Sequence, residues 1–255
     1  MNITDVCALV TGGASGLGAA VVKEIANLGG RAAILDMDEA KGKALEAELG
    51  PSFIFCKTDV TAEADVSRAI EETIAGIGAI NVVVNSAGIT MSARTVGKKG
   101  PMDLSMFERV LKINCTGTFN VIRLAAAKMS ENVPNEYGER GVIISTASIA
   151  AFDGQIGQAA YAASKAAIVG MTLPIARDLS TNGIRNVTIA PGIFDTPMMA
   201  SFPEEVKASL GKSVPFPQRL GRPDEYAGLV LHIIGNPMIN GETIRLDGAL
   251  RMAPK

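Results

Sequence analysis

The chain has 255 residues, a length normal for one α/β domain, and 47% of them are apolar, ample for a sheet covered on both faces. The 24 Lys and Arg nearly balance 26 Asp and Glu, giving a net charge of −2 with no basic stripe, which excludes nucleic acid as the main partner. The richest apolar stretch is interrupted by Ser164, Lys165 and Pro174, so no membrane span is expected.

Met1–Asp5 leads almost directly into an apolar run. It carries neither a basic n-region with a cleavage site nor Arg-rich amphipathic character, so a cytoplasmic setting is expected rather than secretion. Three scattered cysteines without a C-x-x-C pair fit a reducing compartment, free of disulfides and zinc. The single histidine, His232, lies on an apolar helical stretch and reads as a packing residue. No G-x-S-x-G elbow accompanies it, which argues against a Ser-His-Asp hydrolase.

Cys7–Val10 reads as a buried strand, and Thr11 to Gly18 follows as a glycine-rich loop that opens a helix. This is the context of a dinucleotide-binding turn, in which backbone N–H groups and a helix N-terminus meet a pyrophosphate. Gly12, Ser15, Gly16, Leu17 and Gly18 are the candidate contacts, in the spacing G-x-x-x-G-x-G. A second strand, Ala32–Leu35, ends in Asp36, whose carboxylate can accept hydrogen bonds from both ribose hydroxyls of NAD and would repel a 2′-phosphate. No basic residue stands at Gly13, Ala14 or Met37, so NAD is expected over NADP. Asp36 could instead cap the next helix, but Asp38 is equally suited to that role.

Further strand-like runs follow at Phe53–Cys56, Asn81–Val84, Val142–Ser145, Arg185–Ile189 and Glu242–Leu246, with helical patterns between them. Strands apolar throughout, alternating with helices, predict an α/β fold with a parallel sheet buried on both sides and a single domain over 1–255. Three segments break the rhythm. Ala93–Pro101 reads as a polar loop carrying Lys98 and Lys99, Asn132–Gly141 as a tolerated surface excursion, and Ile193–Phe216 as a substrate lid that includes Pro197, Met198, Met199, Phe202 and Pro203.

Tyr161 and Lys165 stand four apart in a helical stretch, so the phenol and the ammonium share one face. A free tyrosine titrates near ~10, and an adjacent positive charge is expected to pull that value down. Such a phenol can take a proton from an alcohol or return one to a carbonyl oxygen. Taken singly, Ser148 could be a helix cap, Tyr161 a packing aromatic and Lys165 a solvated face residue. Their joint occurrence behind a glycine loop favours chemistry.

These motifs together resemble the short-chain dehydrogenase/reductase family over nearly the whole chain. Thr11–Gly18 resembles its cofactor loop, Asp59 and Val60 its adenine contact, and Asn85-Ser86-Ala87-Gly88 its Asn-Asn-Ala-Gly motif with serine at the second position. Asn114, Ser148, Tyr161 and Lys165 resemble its catalytic tetrad, and Pro191, Gly192, Phe194 and Thr196 the segment around the nicotinamide. The resemblance implies a three-layer Rossmann fold with a doubly wound, seven-stranded sheet in the order 3-2-1-4-5-6-7. It also implies that Ser148 polarises the reacting oxygen, Tyr161 is the base and Lys165 tunes it, while Asn114 holds a water that links Lys165 to solvent.

More narrowly, Gly141–Ser148, Ala151–Ala160, Gly170–Leu179 and Leu246–Met252 resemble the type-II 3-hydroxyacyl-CoA dehydrogenases. That group implies NAD, a homotetramer, and short-chain 3-hydroxyacyl-CoA or 2-methyl-3-hydroxyacyl-CoA substrates, with some hydroxysteroids and other alcohols. Its animal members work in mitochondria; a longer basic N-terminus, expected in them, is lacking here, which favours the cytoplasm. Gln155, Gln158 and Phe152 are expected to line the substrate pocket, and Lys98 and Lys99 are candidates for the CoA phosphates, though equally an exposed turn. The alternatives are a 3-ketoacyl-carrier-protein reductase, against which Asp36 argues, and a non-catalytic NAD-binding scaffold.

Overall fold

Seven apolar runs form the strands β1 (Cys7–Thr11), β2 (Arg31–Asp36), β3 (Phe53–Lys57), β4 (Val82–Asn85), β5 (Gly141–Thr146), β6 (Ile184–Pro191) and β7 (Thr243–Leu246). In this computed structural model, which describes residues 1–197, 199 and 202–254, they pair in parallel as one sheet of order β3-β2-β1-β4-β5-β6-β7. The helices are α1 (Gly16–Asn27), α2 (Glu39–Leu49), α3 (Glu63–Ile77), α4 (Leu104–Leu111), α5 (Thr118–Met129), α6 (Ala159–Asp178), α7 (Glu204–Lys212) and α8 (Pro223–Gly235).

The period-2 alternation of the strands sorts the core into two layers. Ala8 and Val10 of β1 face α1 and α8, where Val22, Ile25, Val230 and Ile233 are fully buried. Leu9 faces the opposite layer, built on Val66 and Ile70 of α3 and Val121, Ala125 and Met129 of α5. Each fully buried Leu, Ile or Val here contributes about 2 kcal/mol. The expected architecture and strand order are therefore present.

Three local expectations need correction. The stretch before β5 is more than a surface excursion, because Glu139 is buried and ion-paired to Arg185 at 2.7 Å. Arg185 also donates to the carbonyls of Ile233 and Ile234, closing the C-terminus of α8. His232, expected to pack, is exposed in the last turn of α8, because the buried stripe of that helix runs through Val230, Ile233 and Ile234. Finally, α6 is long and apolar enough, by its 20 residues and mean hydropathy of 1.3, to cross a membrane. Here Ser164, Lys165, Ile168 and Thr172 on its inner face are buried instead.

The chain crosses between the two layers at β1 and β4. In such sheets the crevice beyond the carboxyl ends of the strands at this switch point is the ligand site. The loops after β1, β4, β5 and β6 all converge there.

Candidate active site

A cleft of ≈ 1130 Å³ opens at the carboxyl edge of the sheet. At one end it is lined by Gly12, Ser15, Gly16, Leu17 and Gly18. Gly12 has φ 63, and a Cβ there would meet Ala87 N at 2.8 Å, so only glycine lets the loop pass this close to the strand β4 turn. Ser15 makes no side-chain capping bond, which leaves the first-turn N–H groups of α1 without the usual partner. Asp36 is braced on both oxygens: Ala14 N–H donates to Oδ2 at 3.1 Å and Asp38 N–H to Oδ1 at 3.0 Å. Asp38 itself accepts from Lys41 N–H at 3.1 Å and caps α2, so Asp36 is free of that duty, as the sequence implied. Asp59, Val60, Ser86, Ala87 and Gly88 continue the wall. Asn85 does not line it: 3% exposed, it donates to Ser145 Oγ at 3.3 Å and ties β4 to β5.

The other half of the cleft holds Ser148, Tyr161 and Lys165, with Pro191, Gly192, Phe194 and Thr196 above them. Ser148 caps a short 3-10 turn, its Oγ accepting the Ala150 N–H at 3.1 Å, and lines the cleft beside Tyr161. Lys165 donates from Nζ to the Thr146 carbonyl at 2.7 Å and stands 5.8 Å from the centroid of the Tyr161 ring. Burial disfavours its charge and lowers its pKa to about 8. Burial likewise pushes the Tyr161 phenol above its ordinary value, while the Ser148 hydroxyl works the other way. The expectation that Lys165 lowers the phenol outright is thus corrected: in the protein alone, loss of solvation outweighs the Ser148 hydrogen bond.

Asn114 is fully buried, within a π-helical stretch (Lys112–Gly117) that joins α4 to α5. Its Oδ1 accepts the Ile89 N–H at 2.8 Å, and its Nδ2 donates to the Ile89 carbonyl at 2.9 Å and to Ser164 Oγ at 3.0 Å. Both amide protons are spent on protein, so the side chain is first a brace between the Gly88–Ile89 loop and α6. A Cβ on Gly88 would lie 3.2 Å from Asn114 Oδ1 and 3.6 Å from Lys165 Nζ, which puts the two side chains on one spot. Ser164, which the sequence reading passed over, donates in turn to the Tyr161 carbonyl at 2.8 Å. Its position between tyrosine and lysine in Tyr-Ala-Ala-Ser-Lys was the available signal.

On the substrate side, Gln155 and Gln158 line the cleft as expected, and so do Met199, Phe202, Val206 and Leu210 of the 193–216 segment. Met198 lies outside the described residues. Phe152 is not on the wall; its ring instead covers the Arg245 guanidinium at 5.2 Å. Lys98 and Lys99 sit in an exposed antiparallel turn between Val96 and Pro101 and do not line the cleft, whereas Arg109 and Lys112 do. Met252, near the C-terminus, also reaches it.

A family model described as short chain dehydrogenase matches residues 6–207. The chain belongs to the short chain dehydrogenase family. Members of this family are oxidoreductases that use a nicotinamide cofactor. The chain is 55% identical to a 3-hydroxyacyl-CoA dehydrogenase type-2 of Drosophila melanogaster, covering 99% of this chain and 100% of that protein. It is 52% identical to the human protein of the same name, over 99% of this chain and 98% of the relative. A crystal structure named 3-hydroxyacyl-CoA dehydrogenase type-2 from Mycobacterium avium superposes with a TM-score of 0.94 at 46% identity, over 97% of this chain and 96% of that one. For a short chain dehydrogenase, the cradle here fits the cofactor. A Cβ at Gly12, Gly13 or Gly18 would collide with backbone, the first turn of α1 offers donors, and an acidic acceptor waits at the end of β2.

Proposed function

We propose that the protein oxidises the secondary alcohol of a short-chain 3-hydroxyacyl-CoA, or its 2-methyl-branched form, to the 3-ketoacyl-CoA, with NAD as the acceptor. The observation that carries this reading is the Ser148–Tyr161–Lys165 constellation standing in one cleft with a carboxylate-marked dinucleotide cradle. The shared name of the full-length relatives supports the substrate class.

Gly12 and Ser15–Gly18 would hold the pyrophosphate, Asp36 the adenosine ribose, Asp59 and Val60 the adenine, and Lys165 the nicotinamide ribose. When bound, the nicotinamide supplies the acceptor for the hydride that leaves the carbinol carbon. Ser148, its Oγ oriented by the Ala150 N–H, holds the substrate oxygen. Tyr161 takes the hydroxyl proton, a step worth roughly 10²–10⁴-fold for a positioned base. Lys165, kept beside the ring by the Thr146 carbonyl, favours the ionised phenol once that proton has to leave. Asn114 and Ser164 keep α6 in register with the Gly88–Ile89 loop. Asp36 supports NAD over NADP, since a second negative charge would face a carboxylate whose own hydrogen-bond partners are the backbone N–H groups of Ala14 and Asp38.

NADH formation with a panel of 3-hydroxyacyl-CoA esters, hydroxysteroids and simple alcohols tests the reading. CoA esters are expected to give the highest kcat/KM. Tight NAD binding without turnover of any of them would favour a scaffold. Assembly as a homotetramer belongs to the same reading, and light scattering on the purified chain tests it.

A further inference from the structure

The chain beyond β7 turns back onto the substrate side of the cleft. Leu250 is 5% exposed and packs with Ile149, the neighbour of Ser148, and with Val214 from the segment after α7. Met252 lines the cleft near Gln155 and Gln158. Two hydrogen bonds seat the tail on the loop after Ser148: Gln155 Nε2 donates to the Ala253 carbonyl and Ile156 N–H to the Pro254 carbonyl, each at 3.0 Å.

Arg245 of β7 ties these pieces together. Its Nη2 donates to the Asp153 carboxylate at 2.6 Å and to the Leu250 carbonyl at 2.9 Å, and its Nε donates to Asp247 at 2.7 Å. Phe152 shields the guanidinium from one side. A splayed planar fork of this kind has no equivalent in lysine, which is a single point charge. The backbone between the two anchor points is held in an uncommon shape. Ala249 has φ 66, the one non-glycine left-handed residue among the described residues, and its N–H donates to Asp247 Oδ1 at 3.0 Å. Such a conformation persists only where the surroundings fix it.

We propose that Arg245, with Asp153, is a positioning residue for the substrate: it bolts the C-terminal tail to the loop after Ser148, so that Met252, Gln155 and Gln158 form one wall of the acyl pocket. None of the proton-transfer residues touches this clamp. The inference rests on the 3-hydroxyacyl-CoA reading and names the part of the chain that sets acyl specificity within it.

The test compares Arg245→Lys, Asp153→Asn, their combination and Met252→Ala in the full-length protein. Each is assayed with straight-chain and 2-methyl-branched 3-hydroxyacyl-CoA esters and with varied NAD. Arg245→Lys and Asp153→Asn are expected to raise KM for the acyl-CoA about tenfold, as for a modest misplacement of a substrate wall, with KM for NAD and the pH profile unchanged. The combination is expected to be no worse than Arg245→Lys alone, since the Asp153 contact is already among those lost with the Arg245 fork. Met252→Ala leaves the clamp intact and should shift kcat/KM several-fold toward longer or branched acyl groups. Acyl-CoA KM values at wild-type level in both clamp variants would overturn the proposal. So would parallel rises in KM for both substrates together with a lowered Tm, which mark a merely structural role. If Arg245→Lys does not fold, Asp153→Asn and Met252→Ala decide on the same readings. A wild-type protein that turns over no CoA ester would instead refute the function reading on which this one stands.

Discussion

Lys165 Nζ stands 5.8 Å from the centroid of the Tyr161 ring, one turn further along the same helix. Burial moves the two groups apart, the phenol upward from its ordinary value and the ammonium down to about 8. Oxidation needs the Tyr161 phenol ionised, and carbonyl reduction needs it protonated. The kcat/KM for alcohol oxidation should therefore rise with pH on the alkaline side of neutrality, while kcat/KM for ketone reduction falls over the same range. Parallel pH profiles in the two directions would contradict the proton-transfer role of Tyr161.

Lys165 also carries a stability cost. The unfolded chain holds this proton up to its ordinary value of 10.5, the folded chain only up to about 8. Below about 8 both states hold it, and the folded state bears a buried charge worth about 3 kcal/mol. Between those two values the unfolded chain binds more protons, so rising pH relieves the cost. Lys165→Met should stabilise the fold at neutral pH by about 2 kcal/mol, after about 1 kcal/mol is lost with the bond to Thr146. The gain should fade in alkaline solution, and turnover should be lost throughout. Urea unfolding at neutral and alkaline pH measures both, and an unchanged or lower midpoint at neutral pH would contradict the argument.

In the proposed reading Asp36 selects NAD over NADP. Asp36→Asn keeps the size but gives up the charge, and a hydrogen bond to a charged group is worth about 1.5–3 kcal/mol. KM for NAD should rise by roughly 10–100-fold at little change in kcat, and the ratio of NAD to NADP efficiency should fall. An unchanged ratio would place the discrimination elsewhere.

Ser164→Ala tests the brace behind the site. It removes one of the two acceptors of Asn114 Nδ2 and leaves a buried donor unpaired, at about 1–3 kcal/mol. Tm should fall and kcat should fall with it, because Ser164 also holds the Tyr161 carbonyl. Wild-type Tm and kcat together would show that Asn114 is held by the Ile89 backbone alone.

The sheet was legible because its strands are apolar on both faces and the helices between them are periodic; all seven strands lie within about two residues of their expected bounds. The nucleotide end was legible for a related reason: glycines at fixed offsets and an acid at a strand end carry a local geometry. What escaped depends on partners distant in sequence. Glu139 looks like a solvated loop residue until Arg185, on a strand two elements later, comes to meet it. Phe152 looks like a pocket aromatic until Arg245 is placed against it. The tyrosine's acidity could not be read from spacing, because i,i+4 brings the charge near but says nothing of desolvation. Asn114 was found by resemblance, yet its brace to Ile89 and Ser164 needs a π-turn that no periodicity signals.

The most direct test is NAD-dependent oxidation of 3-hydroxybutyryl-CoA by the wild-type protein and Tyr161→Phe side by side, with NADH binding to each measured by fluorescence. The account predicts turnover by the wild type, a loss of roughly 10²–10⁴-fold in kcat for the variant, and equal NADH affinity. Turnover by the phenylalanine variant within a few-fold of wild type, or a wild type that leaves every CoA ester untouched, would contradict it.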